Sequence, residues 1–180
     1  MVKKWETKSE KFISQSKVFK RYEVNRVSLD SGKEGTFDVV KSLDWVNIVG
    51  LTKDNKVILV EQYRHGTDCI TWELPGGAAN KGEDLFNAAK REFCEETGYT
   101  SDQWEFLGSV DVNPAFMTNK CEMYLAKNCV LSEKQNLDHF EEIDILEVDL
   151  KEIPQLIEQR KINHSLVIAA FYFLFQKLGP

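Results

Sequence analysis

The stretch Gly76–Tyr99, GGAANKGEDLFNAAKREFCEETGY, constrains the fold of this chain more than any other. Its two leading glycines follow a proline, a combination that predicts a loop. Acids at positions 83 and 84 favour a helix start, because the helix dipole stabilises negative charge there. Gly98 suits the left-handed position just past a helix end. Together these signals predict a helix from about Asp84 to Thr97.

The apolar side of this helix continues into carboxylates. At 100° per residue, one stripe contains both apolar residues and two acids: Leu85, Ala88, Ala89, Phe93, Glu92 and Glu96. Burying unpaired carboxylates together costs several kcal/mol each, and Arg91 alone cannot neutralise both of these and Glu95. Oxygen donors without a matching His or Cys favour Mg²⁺ or Mn²⁺ over Zn²⁺. The alternative is a solvated acidic helix end.

The same stretch resembles the Nudix box, G-x5-E-x7-R-E-U-x-E-E-x-G-U, in which U is a bulky apolar residue. All seven fixed positions match: Gly77, Glu83, Arg91, Glu92, Glu95, Glu96 and Gly98. The two U positions hold Phe93 and Tyr99, where aliphatic residues are usual, and this departure is expected to affect packing more than chemistry. A match of this length is a specific signal.

The resemblance implies roles for individual residues. Glu92, Glu95 and Glu96 would ligate divalent metal ions, Mg²⁺ or alternatively Mn²⁺, and the backbone carbonyl of Gly76 would be a further ligand. Arg91 would orient the acids, and Glu83 would lie near them.

Composition sets the class of protein. The 180 residues suffice for one substantial core, and the longest apolar run, 166–175, is shorter than the roughly 18 residues of a membrane span. The first residues lack an apolar signal core, and the four cysteines show no CxxC spacing. We therefore expect a cytoplasmic protein with free thiols. A net charge of −6 argues against a broad nucleic-acid surface.

Strand and helix signals alternate along the rest of the chain. Residues 1–44 are expected to form a small antiparallel sheet, with strands at 17–24, 26–29 and 35–40 and a turn at 30–33. Residues 45–180 are expected to form the hydrolase domain. Its strands are predicted at 45–51, 56–64, 71–74, 104–112, 121–126 and 143–148, with helices at 150–160 and from an N-cap at Ser165 to Lys177. The fold class is α/β, an α/β/α sandwich around a mixed sheet.

Residues outside the box resemble the branch of this family that hydrolyses ADP-ribose and nucleoside diphosphate sugars. Arg64 is the candidate phosphate contact, because a guanidinium grips two oxygens; the alternative is a surface ion pair. Glu73 is a candidate contact to substrate or water. Pro114 and Phe116 are further candidate substrate contacts. Pro114 lies 16 residues after Gly98, where the branch carries a proline, although the glycine and acid that usually follow it in the branch are missing here.

The N-terminal sheet of that branch builds a homodimer and reaches the partner's active site, which implies a homodimer here. Trp5 and Trp45 are candidates to stack on a base from there. The alternative for either one is a position in the core or in the dimer interface.

The polar loop 132–142 is the predicted mobile lid. In the related branch a glutamate of this loop is the catalytic base; Glu141 matches best, and Glu142 is the second choice. The alternative is that these acids serve solubility.

The leading hypothesis is Mg²⁺-dependent hydrolysis of nucleoside diphosphate sugars, including ADP-ribose, to a nucleoside monophosphate and a sugar phosphate. Nucleoside triphosphates, dinucleoside polyphosphates or RNA 5′ ends are alternative substrates. A catalytically silent nucleotide-sugar sensor is a third hypothesis.

Overall fold

The computed structural model describes residues 2–179. The chain divides into two compact units. The first contains the residues up to Leu43 together with Asp111–Lys120, and the second contains the remainder. The sequence-based boundary after residue 44 did not include 111–120 in the first unit. The four cysteines are free, as predicted. Within residues 2–179, no helix is long and apolar enough to cross a membrane.

The first unit contains the small antiparallel sheet that the sequence predicted. Its strands are β1 (Trp5–Gln15), β2 (Phe19–Ser28) and β3 (Glu34–Ser42), paired in that order. The β1–β2 turn is closed by Ser16, whose hydroxyl accepts from the Phe19 amide at 3.1 Å. Two details differ from the prediction. β1 was not predicted, and β2 is one strand where two short segments were expected.

The second unit is built on a seven-stranded sheet. Its strands are β4 (Trp45–Thr52), β5 (Lys56–Arg64), β6 (Cys69–Glu73), β7 (Tyr99–Thr100), β8 (Gln103–Asp111), β9 (Lys120–Leu131) and β10 (Ile143–Asp149). The order is β10-β5-β4-β9-β7, with β6 beside β5 and β8 beside β9. β4 and β9 run parallel, whereas β4–β5, β5–β6 and β10–β5 are antiparallel. The sheet is therefore mixed, as expected.

The helices are α1 (Leu85–Thr97), α2 (Ile153–Glu158) and α3 (Ser165–Leu178). α1 has the predicted bounds, since Asp84 caps it by accepting from the Asn87 amide and Gly98 ends it at φ 70°. The helix expected over 150–160 is a 3-10 turn followed by the short α2. The N-cap of α3 is His164 rather than Ser165, because the backbone at 164 is still extended (φ −73°, ψ 123°).

Helices pack against both faces of the sheet. Ala88, Ala89 and Phe93 of α1 share one core cluster with Val46 and Ile48 of β4. Side chains alternate between the faces of a strand, so two further buried apolar residues of β4, Val49 and Leu51, face the opposite side. α3, which contacts β4, contributes a second buried set: Val167, Ala170, Phe171 and Leu174. This arrangement confirms the predicted α/β class.

Candidate active site

The acids of α1 differ in burial as the helical spacing predicted. Glu96 is only 5% exposed, on the same side of the helix as the core residue Phe93. Glu92 is partly buried, and the Glu95 side chain is 37% exposed. α1 thus buries the carboxylate of Glu96 and leaves the carboxylates of Glu92 and Glu95 partly exposed.

Arg91 holds three acids together. Its Nε and Nη2 bind both oxygens of Glu83 at 2.9 and 2.8 Å. Its Nη1 donates to Glu92 at 2.8 Å and to Glu95 at 3.0 Å. The hydrogen bonds from Arg91 lower the pKa of Glu83 to about 2. This is the geometry expected of a residue that orients the acids.

Glu96 has a different partner, the backbone of the glycine loop. Its Oε2 accepts from the Gly76 amide at 2.8 Å. Burial, opposed by this hydrogen bond and reinforced by the charges of Glu92 and Glu141, raises the pKa of Glu96 to about 8. Burial also raises the pKa of Glu92, although Arg91 opposes it. The structure therefore gathers negative charge at an energetic cost, as a cation site would require.

The glycine loop fits against these acids because it has no side chains. A Cβ on Gly77 would lie 2.6 Å from the nearer oxygen of Glu92, and a Cβ on Gly76 would overlap the Val46 carbonyl oxygen. The carbonyls of Pro75 and Gly77 both accept from amides of β4. Alternation along the chain turns the backbone groups of Gly76 the other way, and its amide does bind Glu96. A metal contact of the Gly76 carbonyl, which the family resemblance implies, stays a prediction.

The chemistry of this donor set fits a hard divalent cation, because every candidate ligand is an oxygen. Glu92 and Glu95 face Arg91 and Glu96 faces Gly76. Among residues 2–179, no three His, Cys, Asp or Glu side chains form a ready-made ion site. Cation binding would thus compete with the Arg91 contacts. The ligand atoms have the element type and charge that a divalent cation requires, but they are not yet arranged around an ion position.

Arg64 lies at the end of β5. Its positive charge partly opposes the rise in the pKa of Glu96. It is itself held by Glu73, which accepts from its Nε and Nη2, both at 2.8 Å. Glu73 is 2% exposed and also binds Thr71 and His164. The geometry favours a role for Glu73 through Arg64 rather than by direct contact with a substrate.

His164 had not been singled out from the sequence as a site residue. It lies 91 positions from Glu73, yet its Nδ1 is 2.8 Å from the Glu73 carboxylate. No spacing rule connects a strand end with the cap of a distant helix. The only local signal was its position next to the predicted helix start.

The loop 132–142 is fastened to the C-terminal end of α1. The Asn136 amide donates to the Glu95 carbonyl at 2.8 Å. Gln135 donates to the carbonyls of Glu96 and Ile143, at 2.7 and 3.2 Å, and so closes the loop at its base. Gln135 is a second residue that the sequence did not reveal.

Two glutamates of this loop were candidates for the base. The charge of Glu141 raises the pKa values of Glu92 and Glu96 and also acts on Arg64. The assignment of the catalytic base to Glu141, the first choice from the sequence, or to Glu142, the second, stays a prediction.

The remaining candidates lie elsewhere. Trp45 begins β4 and forms a backbone bridge with Ala78, next to the glycine loop. Pro114 and Phe116 belong to the first unit, where Phe116 is 45% exposed and its carbonyl accepts from the Val40 amide. Contacts of these three residues with a substrate stay predictions.

Comparison with known proteins matches this site to a family. The NUDIX domain profile covers residues 43–171. The chain is 34% identical to the methanol dehydrogenase activator of Bacillus methanolicus, over 92% of both chains. It is 32% identical to the ADP-ribose pyrophosphatase of Bacillus subtilis (strain 168), over 90% of this chain and 88% of that one.

A solved structure, described as an ADP compounds hydrolase, superposes on 99% of this chain and 96% of its own, with a TM-score of 0.86 at 20% identity. That likeness concerns the fold alone. The domain match and the two nearly full-length relatives agree with the acids and arginine of α1 and the glycines that flank it, and on these grounds the chain belongs to the Nudix family of hydrolases.

Proposed function

We propose that this protein hydrolyses the pyrophosphate bond of nucleoside diphosphate sugars, including ADP-ribose. The observation that carries the proposal is the set of three carboxylates on α1. Glu96 is buried and bound to the Gly76 amide at 2.8 Å, and Glu92 and Glu95 are held by Arg91 at 2.8 and 3.0 Å. The ADP-ribose pyrophosphatase of B. subtilis, aligned over 90% of this chain, supports the substrate class.

The cofactor in this proposal is Mg²⁺, with Mn²⁺ as an alternative. Glu92, Glu95, Glu96 and the Gly76 carbonyl would hold it, and bound metal supplies charge neutralisation at phosphate oxygens and a more acidic water. Arg91 keeps the acids oriented through its contacts to Glu83, Glu92 and Glu95.

The chain's own residues then account for binding and proton transfer. Arg64 binds the pyrophosphate oxygens, because its exposed edge carries the N–H groups that Glu73 leaves unused. Glu141 accepts the proton of the attacking water as that water's oxygen bonds to one phosphorus. The bond between this phosphorus and the bridging oxygen breaks. The products are a nucleoside monophosphate and a sugar phosphate.

A substrate panel with and without Mg²⁺ tests the proposal. ADP-ribose, other nucleoside diphosphate sugars, GTP, a dinucleoside polyphosphate and 5′-triphosphate RNA are each assayed for released products. Activity on ADP-ribose is expected, lost with a chelator. Activity on GTP or RNA alone would contradict the substrate class, and no activity on any of them would favour the silent-sensor hypothesis.

Glu96→Gln is the matching variant. Gln keeps an acceptor for the Gly76 amide and has nearly the same shape as Glu, so the fold should persist. Loss of a metal ligand worth several kcal/mol predicts a fall in turnover of at least about 100-fold. The exposed Glu158→Gln on α2 is the control. Near-normal turnover in Glu96→Gln would contradict the metal assignment.

A second candidate function is activation of a partner dehydrogenase. The resemblance to the methanol dehydrogenase activator of B. methanolicus, over 92% of both chains, favours it. Adding the protein to a methanol dehydrogenase and following alcohol oxidation tests this function. Glu96→Gln in the same assay would show whether activation depends on the acids of α1.

We further propose that the protein is a cytoplasmic homodimer built with residues 1–44. Three aromatic side chains on the small sheet, Phe12, Phe19 and Phe37, are each more than 40% exposed, as an interface would require. Light scattering of the full chain and of Phe12→Ser measures the oligomeric state. A monomeric wild type would contradict the proposal.

A further inference from the structure

The Glu73 carboxylate binds four donor groups. Its Oε1 accepts from Arg64 Nε and from the Thr71 hydroxyl, at 2.8 and 2.6 Å. Its Oε2 accepts from Arg64 Nη2 and pairs with His164 Nδ1, both at 2.8 Å. An ionised carboxylate only accepts hydrogen bonds, so Nδ1 of His164 must carry a hydrogen. The buried acid is therefore fully paired, and three different segments meet at it.

We propose that Glu73 and His164 are positioning residues that hold the Arg64 guanidinium ready for the pyrophosphate of the substrate. The inference deepens the proposed function and rests on it. It assigns a role to the α2–α3 connection, which lies outside the box.

The support has a rigid base. The connection between α2 and α3 docks on β6 through a bond from the Trp72 amide to the Lys161 carbonyl, at 3.3 Å. The Lys161 ammonium lies 4.6 Å from the centre of the Trp72 ring. The Ile162 amide is tied to the last turn of α2. The loop that carries His164 is therefore bound to both β6 and α2, which fixes the position of His164 next to Glu73.

The orientation of Arg64 follows from this support. Its bidentate pair with Glu73 uses Nε and Nη2, so the hydrogens on Nη1 are left for another anion. The Arg64 side chain is 44% exposed, whereas the Glu73 side chain is 3% exposed. A flexible arginine loses rotamer freedom on binding an anion, and one that is already fixed loses less. The support should therefore increase affinity for the pyrophosphate.

The support is also continuous with the acid cluster. Three residues after Glu73, the Gly76 amide binds Glu96. Burial opposes ionisation of Glu73, but the hydrogen bonds from Arg64 and His164 outweigh it and hold the pKa of Glu73 well below its ordinary value. The carboxylate is therefore charged at neutral pH, as a bidentate partner of arginine must be.

Two substitutions of His164 separate positioning from general stability. His164→Leu removes the donor to Glu73. His164→Asn keeps an N–H donor near the place of Nδ1 and suits an N-cap. Each variant is assayed for ADP-ribose hydrolysis with Mg²⁺ and for binding of the non-hydrolysable α,β-methylene analogue of ADP-ribose.

For His164→Leu we expect KM and the Kd of the analogue to rise about tenfold, equivalent to about 1.4 kcal/mol, with kcat changed less than about twofold. His164→Asn should stay within about twofold of wild type in all three quantities. Thr71→Val removes another donor to Glu73 and should shift KM in the same direction. It keeps the inference testable if His164→Leu does not fold.

A double-mutant cycle with Arg64→Gln tests whether His164 acts through Arg64. If His164 acts through Arg64, then His164→Leu adds little to the loss already caused by Arg64→Gln. Additive losses, or an unchanged KM in His164→Leu, would overturn the inference while wild-type hydrolysis upheld the proposed function. A wild type that neither binds the analogue nor hydrolyses ADP-ribose would overturn both.

Discussion

Substitution of Gly50 by alanine would test the packing that holds α1 on the sheet. A Cβ at this position would lie 2.6 Å from Cζ and 2.7 Å from Cε2 of Phe93, and 3.3 Å from Cδ1 of Ile58. Carbon atoms in favourable contact are about 3.5–4.0 Å apart, so the overlap with the ring is about 1 Å. Phe93 and Ile58 are fully buried, and the ring cannot move into solvent.

The expected cost follows from that overlap. Extra methyl groups in a packed core cost about 1–3 kcal/mol, and the lower chain entropy of alanine in the unfolded state offsets about 0.4–1 kcal/mol. We expect a net loss of about 1–2 kcal/mol in the free energy of unfolding. For a chain of this size, the unfolding midpoint should fall by about 2–8 °C.

Urea unfolding followed by tryptophan fluorescence measures the effect. Trp104 contributes to that signal and meets the Phe93 ring edge-on, with centroids 5.8 Å apart. Gly66→Ala is the matched control, because nothing lies within 4 Å of a Cβ there. It should change stability by less than about 0.5 kcal/mol.

A compensating substitution makes the reasoning refutable. Phe93→Leu shortens the side chain that fills the space above Gly50. The double variant should therefore be more stable than the sum of the two single changes predicts, by about 0.5–3 kcal/mol. Equal stabilities of Gly50→Ala and Gly66→Ala, or additive effects in the double variant, would refute the steric argument.

Three other perturbations address the site. Gly77→Ala would place a Cβ 2.6 Å from a movable carboxylate oxygen of Glu92, so turnover should fall about 10- to 100-fold while unfolding stays near wild type. Gln135→Leu removes both bonds that close the loop 132–142; turnover should fall about tenfold but hardly further in a Glu141→Gln background. Glu73→Gln tests pH dependence. The folded-state pKa of Glu73 lies well below 4.5, because its hydrogen bonds outweigh the effect of burial. The ionised Glu73 therefore stabilises the folded protein fully above pH 4.5, and this contribution is lost as the pH falls towards the folded-state pKa. The difference in unfolding free energy between wild type and Glu73→Gln should therefore narrow below pH 4.5.

Each of these results has a clear contrary outcome. Near-normal turnover in Gly77→Ala would show that catalysis does not depend on the present position of the Glu92 carboxylate. Additive losses for Gln135→Leu and Glu141→Gln would exclude positioning of one by the other. A stability difference for Glu73→Gln that stays constant down to pH 3 would contradict the depressed pKa.

Local signals were sufficient for α1. An acid at the N-cap, a glycine after the last turn and the 3.6-residue period each act within a few residues, and they predicted the bounds of the helix and which side is buried. The N-cap of α3 was wrong by one residue: the cap is His164, whose side chain pairs with the distant Glu73. Helix ends depend on such contacts more than helix interiors do.

The sequence by itself predicted the chemistry of this protein: acids on one helix with glycines on either side of it, the family to which this pattern belongs, and Arg64 as a cation outside the box. Tertiary structure decided how that chemistry is held. It paired Glu73 with His164 across 91 positions, joined the Gly76 amide to Glu96, and placed Gly50 under the Phe93 ring. The physical reason is the distance along the chain over which each kind of interaction acts. Helix signals act between neighbours in the chain, whereas burial and charge depend on distances in space that no local spacing encodes.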